Sequence, residues 1–456
     1  MKITKSTILS GCAMLLCVAT SVAQTATTNL SDQETKVYPW RGGVAAQSEQ
    51  PTSAVQPPII NGNSQNVRFF QASAQDGTQQ PAVGNFSQGV PNPPANSAQG
   101  SGESQPALSV QSNAISENSC NQDWCQLGEP RRLFGTSCNG LTIGGFNQTG
   151  FHNSNTLGFN NMEGKFRGHQ AWLYVGREAS RNCNWDMGFR VDGMYGLDAQ
   201  DIQALGNSPT GAPTGWDNSW DNGSYGFALP QAYLEFANYD WNVRVGRFLS
   251  PIGYESVPSI ENFFYSRTYL RTFTEPFTHT GVLAQKEVND RLTYVGGLTL
   301  GWNSAFENTD NGFNLITGFR YRSSENVKLG VTSSVGDTGY LGSGVLTSAF
   351  TEVQLTDRLC YVLQGDYLNL DANDEFGIVN SLYYRVNNCL AFGGRLEWWK
   401  SDRFFQASRS TYDWTFGANY RPNANVVIRP ELRNDWGAGA IDPTQTVFGV
   451  DAIFAF

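Results

Sequence analysis

Tyr412-Asp413-Trp414-Thr415-Phe416-Gly417-Ala418-Asn419-Tyr420-Arg421 sets mostly aromatic residues on one face of an extended chain and Asp, Thr, Gly, Asn and Arg on the other. Polarity alternating with a period of two over that length predicts a half-exposed strand. Segments of the same length and texture recur from Leu141 to Phe456, separated by Asn, Asp, Gly and Ser, and sixteen candidate strands can be counted.

The apolar faces could pack on a second sheet or face lipid, and the connections decide between the two. Short turns recur at Arg181-Asn182-Cys183, Tyr239-Asp240-Trp241, Asn289-Asp290-Arg291-Leu292, Glu325-Asn326-Val327, Thr356-Asp357-Arg358-Leu359, Asn387-Asn388-Cys389-Leu390 and Ala424-Asn425-Val426. Asp290, Asn326, Asp357, Asn388 and Asn425 follow one another at 36, 31, 31 and 37 residues, so each interval holds one strand up, one longer loop and one strand down. Longer polar connections lie at about 149–166, 197–224, 250–276, 303–311, 336–344, 370–375, 400–410 and 434–444. Short turns on one side and long loops on the other, with an even strand number, are the plan of an outer-membrane barrel. The expected fold is all-β: a closed antiparallel transmembrane β-barrel of about sixteen strands over residues 139–456.

Composition agrees. Charged residues are 15% of the chain against roughly 25% in soluble domains, while aromatics reach 13% and glycines number 48. Past the leader no apolar run approaches the ~20 residues a spanning helix needs. Residues 1–23, with Lys2 and Lys5 before an apolar stretch and Ser21-Val22-Ala23 after it, read as a signal peptide. From 24 to 119 the chain is rich in Gln, Ser, Asn and Pro and shows neither strand nor helix period, which predicts a disordered tether. Residues 120–138 form a cysteine-containing periplasmic lead-in. A formal charge of −10 without a concentrated basic face argues against a nucleic-acid partner.

The six cysteines after the leader are Cys120, Cys125, Cys138, Cys183, Cys360 and Cys389, an even number in an exported chain. Their spacings fit no common zinc pattern, and neither a metal nor another cofactor is expected. Pairing Cys138 with Cys183, or Cys360 with Cys389, would join alternate strands about 9–10 Å apart, too far for an undistorted bridge.

The strand faces opposite the lipid carry Arg190 and Asp192, Arg320 and Arg322, Gln364 and Asp366, Arg395 and Glu397, Asp413 and Arg421, and Arg429, Glu431 and Arg433. In a dry sandwich core such charges cost several kcal/mol each unless paired, so they are expected to see water. Sixteen tilted strands enclose a channel, whereas about eight leave an interior filled by side chains. Trp302, Tyr321, Tyr383, Trp398 and Tyr420 near strand ends are expected as interfacial girdles. The third long loop, 250–276, sets Glu255, Glu261, Arg267, Arg271 and Glu275 among Phe263, Phe264, Tyr265, Tyr269 and Phe273. Folded inward, it would narrow the pore; the alternative is an external cap packed on itself. Expected pore-lining residues are therefore those five together with Arg320, Asp366, Arg395, Glu397, Asp413, Arg429, Glu431 and Arg433.

Arg244-Val245-Gly246-Arg247-Phe248, Pro251-Ile252-Gly253-Tyr254-Glu255, Asn262-Phe263-Phe264-Tyr265-Ser266-Arg267 and Glu275-Pro276-Phe277-Thr278-His279-Thr280-Gly281-Val282 resemble the putative beta-barrel porin-2, OmpL-like family. The likeness runs through Gly301-Trp302 and more loosely from about Leu133 to the end. It implies an outer-membrane porin of a Gram-negative-type cell, passing small polar solutes, with no catalytic residues to carry over. The last strand, ending at Phe456, resembles the signal read by the barrel-assembly machinery, and a homo-oligomer such as a trimer is compatible with a pore of this size. The alternatives are a structural or adhesive barrel with a plugged lumen and an outer-membrane hydrolase. The second rests on His152-Asn153-Ser154, but the glycine of a His-x-Ser-x-Gly pattern is Thr156 here and no third group orients the base. His169 and His279 read as hydrogen-bonded strand histidines.

Overall fold

The computed structural model describes residues 140–456 except 155–158, 161, 182–183, 206–216, 309, 372, 403–408 and 438–443. The signal, tether and lead-in expected at 1–138 lie outside the described residues.

Sixteen strands follow in order: β1 (Thr142–His152), β2 (Arg167–Arg177), β3 (Asp186–Gly196), β4 (Gly226–Ala237), β5 (Trp241–Leu249), β6 (Thr278–Asn289), β7 (Leu292–Trp302) and β8 (Phe313–Ser324). Then come β9 (Val327–Asp337), β10 (Ser343–Thr356), β11 (Leu359–Leu370), β12 (Asn373–Asn387), β13 (Leu390–Ser401), β14 (Arg409–Asn423), β15 (Val426–Gly437) and β16 (Gln445–Ala455). Each pairs antiparallel with the next, and β16 returns to β1 from Phe146↔Ala455 to His152↔Gly449, so the sheet closes and has no free edge.

Closure turns the two-residue period into an inside and an outside. In β14, Trp414, Phe416 and Tyr420 are 36%, 54% and 44% exposed, while Asp413, Thr415 and Asn419 are at most 2% exposed. Register carries that division from strand to strand: Leu396 pairs with Trp414 on the outer face, and Glu397 with Asp413 on the inner. The same outer face bears Leu173, Leu234, Leu298, Phe319, Leu382, Leu432 and Phe448, exposed to the hydrocarbon rather than to a second sheet.

The aromatic girdle is only partly as expected. Tyr321 and Tyr420 are exposed and Trp398 stands on the outer face, but Trp302 and Tyr383 are nearly fully buried and point inward. Tyr383 shares its parity with the buried Ser381 and Val379, and Trp302 donates its indole N–H to the Ser334 hydroxyl at 2.9 Å. Both rings pack the lumen.

The expected Cys360–Cys389 mismatch holds, since Cys360 is disulfide-bonded while Cys389 is free.

Candidate functional site

Between β5 and β6 the chain does not rise over the rim. Its base is closed by His279, whose Nε2 lies 2.9 Å from the Ser250 hydroxyl, and by Asn303 Oδ1, which accepts the Phe277 and Thr278 amides at 2.7 and 3.0 Å. From there residues 250–277 fold inward against the lumen-facing side chains, and all but Glu255, Ile260 and Glu261 are buried.

A segment with little regular secondary structure leaves backbone amides and carbonyls without partners, and burying it requires that each find one. The barrel wall supplies them. Glu431 of β15 accepts the Tyr265 amide at 2.9 Å and the Ser266 amide at 3.0 Å, and Glu397 of β13 accepts the Tyr269 and Leu270 amides at 2.7 and 2.8 Å. The carbonyls go to guanidiniums: Arg429 donates to Ser259 and Asn262 at 2.8 and 2.7 Å, Arg395 to Ser266 at 3.1 Å, and Arg433 to Arg267 at 2.5 Å. These arginines are held in turn by carboxylates. Arg429 donates to Asp451, Arg433 to Asp435 at 2.7 Å, and Arg395 bridges to Glu255 at 2.9 Å, with Asp413 between Arg395 and Arg433.

Shape complements charge. An added Cβ at the inward-facing Gly393 would sit 2.4 Å from the Phe263 ring, at Gly449 2.9 Å from Tyr265, and at Gly377 2.5 Å from Leu270. The wall is thus notched where the loop side chains enter. Phe263 also meets Tyr383 at 4.8 Å between ring centroids, Tyr269 and Phe273 stack on Trp399 at 5.7 and 5.2 Å, and Tyr254 packs on Phe350. Such ring contacts contribute about 0.5–1.5 kcal/mol each beyond their buried area.

The far end of the loop is fastened to β11 and β12. Thr274 donates to Glu375 at 2.6 Å, and Gln364 donates to Glu275 at 2.6 Å and to Asp366 at 2.9 Å. Arg271 bridges to Glu275 at 3.2 Å one turn away. Burial first, then the neighbouring Asp366 carboxylate, hold the Glu275 carboxyl well above the usual carboxylate range, with Arg271 opposing. Gly253 (φ +92°) lets the backbone pass over that carboxyl, because a Cβ there would lie 2.1 Å from Glu275 Oε1.

The structure therefore gathers twelve of the thirteen residues that the sequence singles out around one loop. Glu255 accepts from Thr268 and Arg395 and is 14% exposed, Glu261 takes the Ser256 hydroxyl, and Arg267 donates to the Val257 carbonyl beneath the Phe159 ring. Arg320 stands apart on β8, over the Phe350 ring. The inward orientation is as expected, but the hydration is not. Asp366, Arg395, Glu397, Asp413, Arg429, Glu431 and Arg433 are at most 4% exposed, and five of them, Arg395, Glu397, Arg429, Glu431 and Arg433, hydrogen-bond loop backbone. Asp435, Asp451, Glu375 and the wall glycines were not singled out from sequence; the glycines share inward parity with the charges, which was the available signal.

The His152 and Ser154 side chains turn to different partners. His152 Nδ1 lies 2.7 Å from the Ser154 carbonyl oxygen, and the Ser154 hydroxyl donates to Gln445 at 2.9 Å. His169 bonds the Tyr265 hydroxyl at 2.6 Å and so adds a further point of attachment for the loop.

Among solved structures, the outer membrane channel DcaP of Acinetobacter baumannii superposes with a TM-score of 0.48 at 10% identity, over 71% of this chain and 99% of that one. A loop L8 deletion mutant of OmpT from Vibrio cholerae gives 0.44 at 11%, over 69% and 99%, and a mutant of Rh. blastica porin gives 0.44 at 11%, over 69% and 100%. No curated protein matches the chain. The family model described as "Putative beta-barrel porin-2, OmpL-like" matches residues 138–456, which is most of the chain and all of the barrel, and the protein belongs to that family of outer-membrane porins.

Proposed function

We propose that this outer-membrane channel passes small polar solutes by diffusion, and that the loop 250–277 is its constriction. The observation that carries the reading is the clamp: paired amides of the loop sit on Glu397 and Glu431, and its carbonyls on Arg395, Arg429 and Arg433. A loop held by its backbone at β13 and β15 and by its side chains at β11 and β12 keeps a fixed cross-section, as a size filter must. Solutes then pass beside the loop, meeting Glu255 and Glu261, its two partly exposed carboxylates. The outer face accounts for the lipid partner, and Phe456, at the end of β16, is the proposed contact with the assembly machinery. Association into trimers through the outer face is the accompanying proposal.

A plugged structural barrel is the second reading. It is favoured by the apolar inward cluster of Tyr233, Phe248, Leu283, Val295 and Ile316, unusual for a wide aqueous lumen. Liposome swelling separates the two: proteoliposomes that admit pentoses and hexoses while excluding larger oligosaccharides support the filter, and no uptake of any sugar supports the plug.

A further inference from the structure

One stretch of the constriction loop is tied to two other outer connections at a single buried imidazole. His169 stands near the outer end of β2, and its Nε2 lies 2.6 Å from the Tyr265 hydroxyl of the loop. Its Nδ1 lies 3.5 Å from Oδ1 of Asp198, early in the connection from β3 to β4. An ionised carboxylate only accepts, so it favours the imidazole proton on Nδ1 and leaves Nε2 to accept from the phenol. The circuit closes through the connection from β1 to β2. Asn160 takes φ +62°, a conformation that asparagine adopts more readily than most residues. There its backbone amide donates to Asp198 Oδ1 at 3.2 Å, and its side-chain amide donates to the Tyr265 carbonyl at 2.8 Å.

Tyr265, His169, Asp198 and Asn160 thus form a ring of contacts that joins three connections to one strand. All four are at most 3% exposed, so water does not readily replace a contact that is lost. The wall shapes the seat of the phenol. A Cβ at Gly150 of β1 would lie 2.5 Å from the Tyr265 hydroxyl, and one at Gly449 of β16 would lie 2.9 Å from its ring, so the side chain enters where both strands lack one. Gln170, next to His169, repeats the tie: it donates to Asp198 Oδ2 at 3.0 Å and accepts the Ser259 amide at 2.9 Å.

Glu397 and Glu431 fix the loop to the wall. At His169 the wall fixes it together with the two neighbouring outer connections. Resting on the reading of 250–277 as the constriction, we propose that His169 is a positioning residue that couples the β1–β2 and β3–β4 connections to the pore. Displacing either connection releases Tyr265 and loosens the constriction.

The test is single-channel recording of full-length variants in planar bilayers, read as the fraction of time spent in a larger conductance, with liposome swelling for the sugar size limit. Tyr265→Phe removes one oxygen, and His169→Phe keeps a ring while losing both polar contacts. Each is expected to raise that fraction about ten-fold and to raise the size limit. His169→Gln, which offers a carbonyl to the phenol and an amide to Asp198, is expected to stay within about two-fold of wild type. A packing role for the ring predicts the reverse order of the two His169 variants. Asp198→Ala lies off the constriction loop and is expected to give a rise at least as large as Tyr265→Phe. Combining those two is expected to add no more than about two-fold to the larger single effect. Should His169→Phe not assemble, the Tyr265→Phe and Asp198→Ala pair carries the test. Wild-type behaviour of Tyr265→Phe, His169→Gln as open as His169→Phe, or effects of Asp198→Ala and Tyr265→Phe that multiply overturn the coupling while leaving a constricted pore. A conductance and size limit that no variant changes, Glu397→Ala with Glu431→Ala included, overturn the constriction reading as well.

Discussion

Removing Glu431 and Glu397 together, as Glu431→Ala and Glu397→Ala, deprives four consecutive-pair amides of the loop of their acceptors: Tyr265 and Ser266 on one carboxylate, Tyr269 and Leu270 on the other. Losing a hydrogen bond to a charged group costs about 1.5–3 kcal/mol, and water entering the lumen restores part of that, so the lower end applies. Each variant is then expected to weaken docking by about 3 kcal/mol, and the pair by up to about 6 kcal/mol, less if the sites couple. At 1.4 kcal/mol per factor of ten, a single variant shifts the docked-to-undocked ratio about a hundred-fold. The assay is single-channel recording combined with liposome swelling over a series of sugar sizes. Expected are frequent transitions to a larger conductance and a raised size limit, in a barrel whose sheet content and outer-face pairing are unchanged. If the double variant shows the wild-type unitary conductance, noise and size limit, the clamp is not what holds the constriction.

Other consequences are smaller in scope. Gly393→Val places a branched side chain where even a Cβ meets Phe263 at 2.4 Å; it is expected to displace the loop and give the same larger conductance, whereas Leu396→Val on the outer face does not. Because the docked loop raises the proton affinity of Glu275, docking is favoured below the ordinary carboxylate range and weakens as pH rises through the raised value. Open-channel noise should therefore grow with pH in the wild type and become flat in Glu275→Gln, and noise with the same pH slope in both would contradict this. Without reductant, a thiol reagent applied to the native channel should modify Cys389 and leave Cys360 unlabelled, as peptide mapping by mass spectrometry would show.

The barrel was legible because its two determinants are local. Alternation in stretches such as Tyr412–Arg421 fixes which side chains share a face, and the recurrence of Asp290, Asn326, Asp357, Asn388 and Asn425 fixes which ends are tightly turned. Parity also placed Arg395, Glu397, Glu431 and Arg433 inside. What alternation cannot report is the partner. A charge excluded from a hydrocarbon core is satisfied equally by water or by buried amides and carbonyls, and here it is the loop that supplies them. Trp302 and Tyr383 were misplaced for a related reason, since position near a strand end does not say which face a ring occupies. Tyr383 could have been assigned by its parity with Ser381. The notches at Gly377, Gly393 and Gly449 were equally visible as inward glycines, but their meaning depends on a loop more than a hundred residues away in sequence.

The constriction itself is tested most directly by excising it. With residues 254–275 replaced by a short Gly-Ser connection, the base formed by Ser250, His279 and Asn303 stays in place. The unitary conductance in planar bilayers at 1 M KCl is then expected to rise several-fold, with the wall arginines and carboxylates newly exposed to the lumen. A conductance equal to that of the intact chain would mean that current never passed beside this loop.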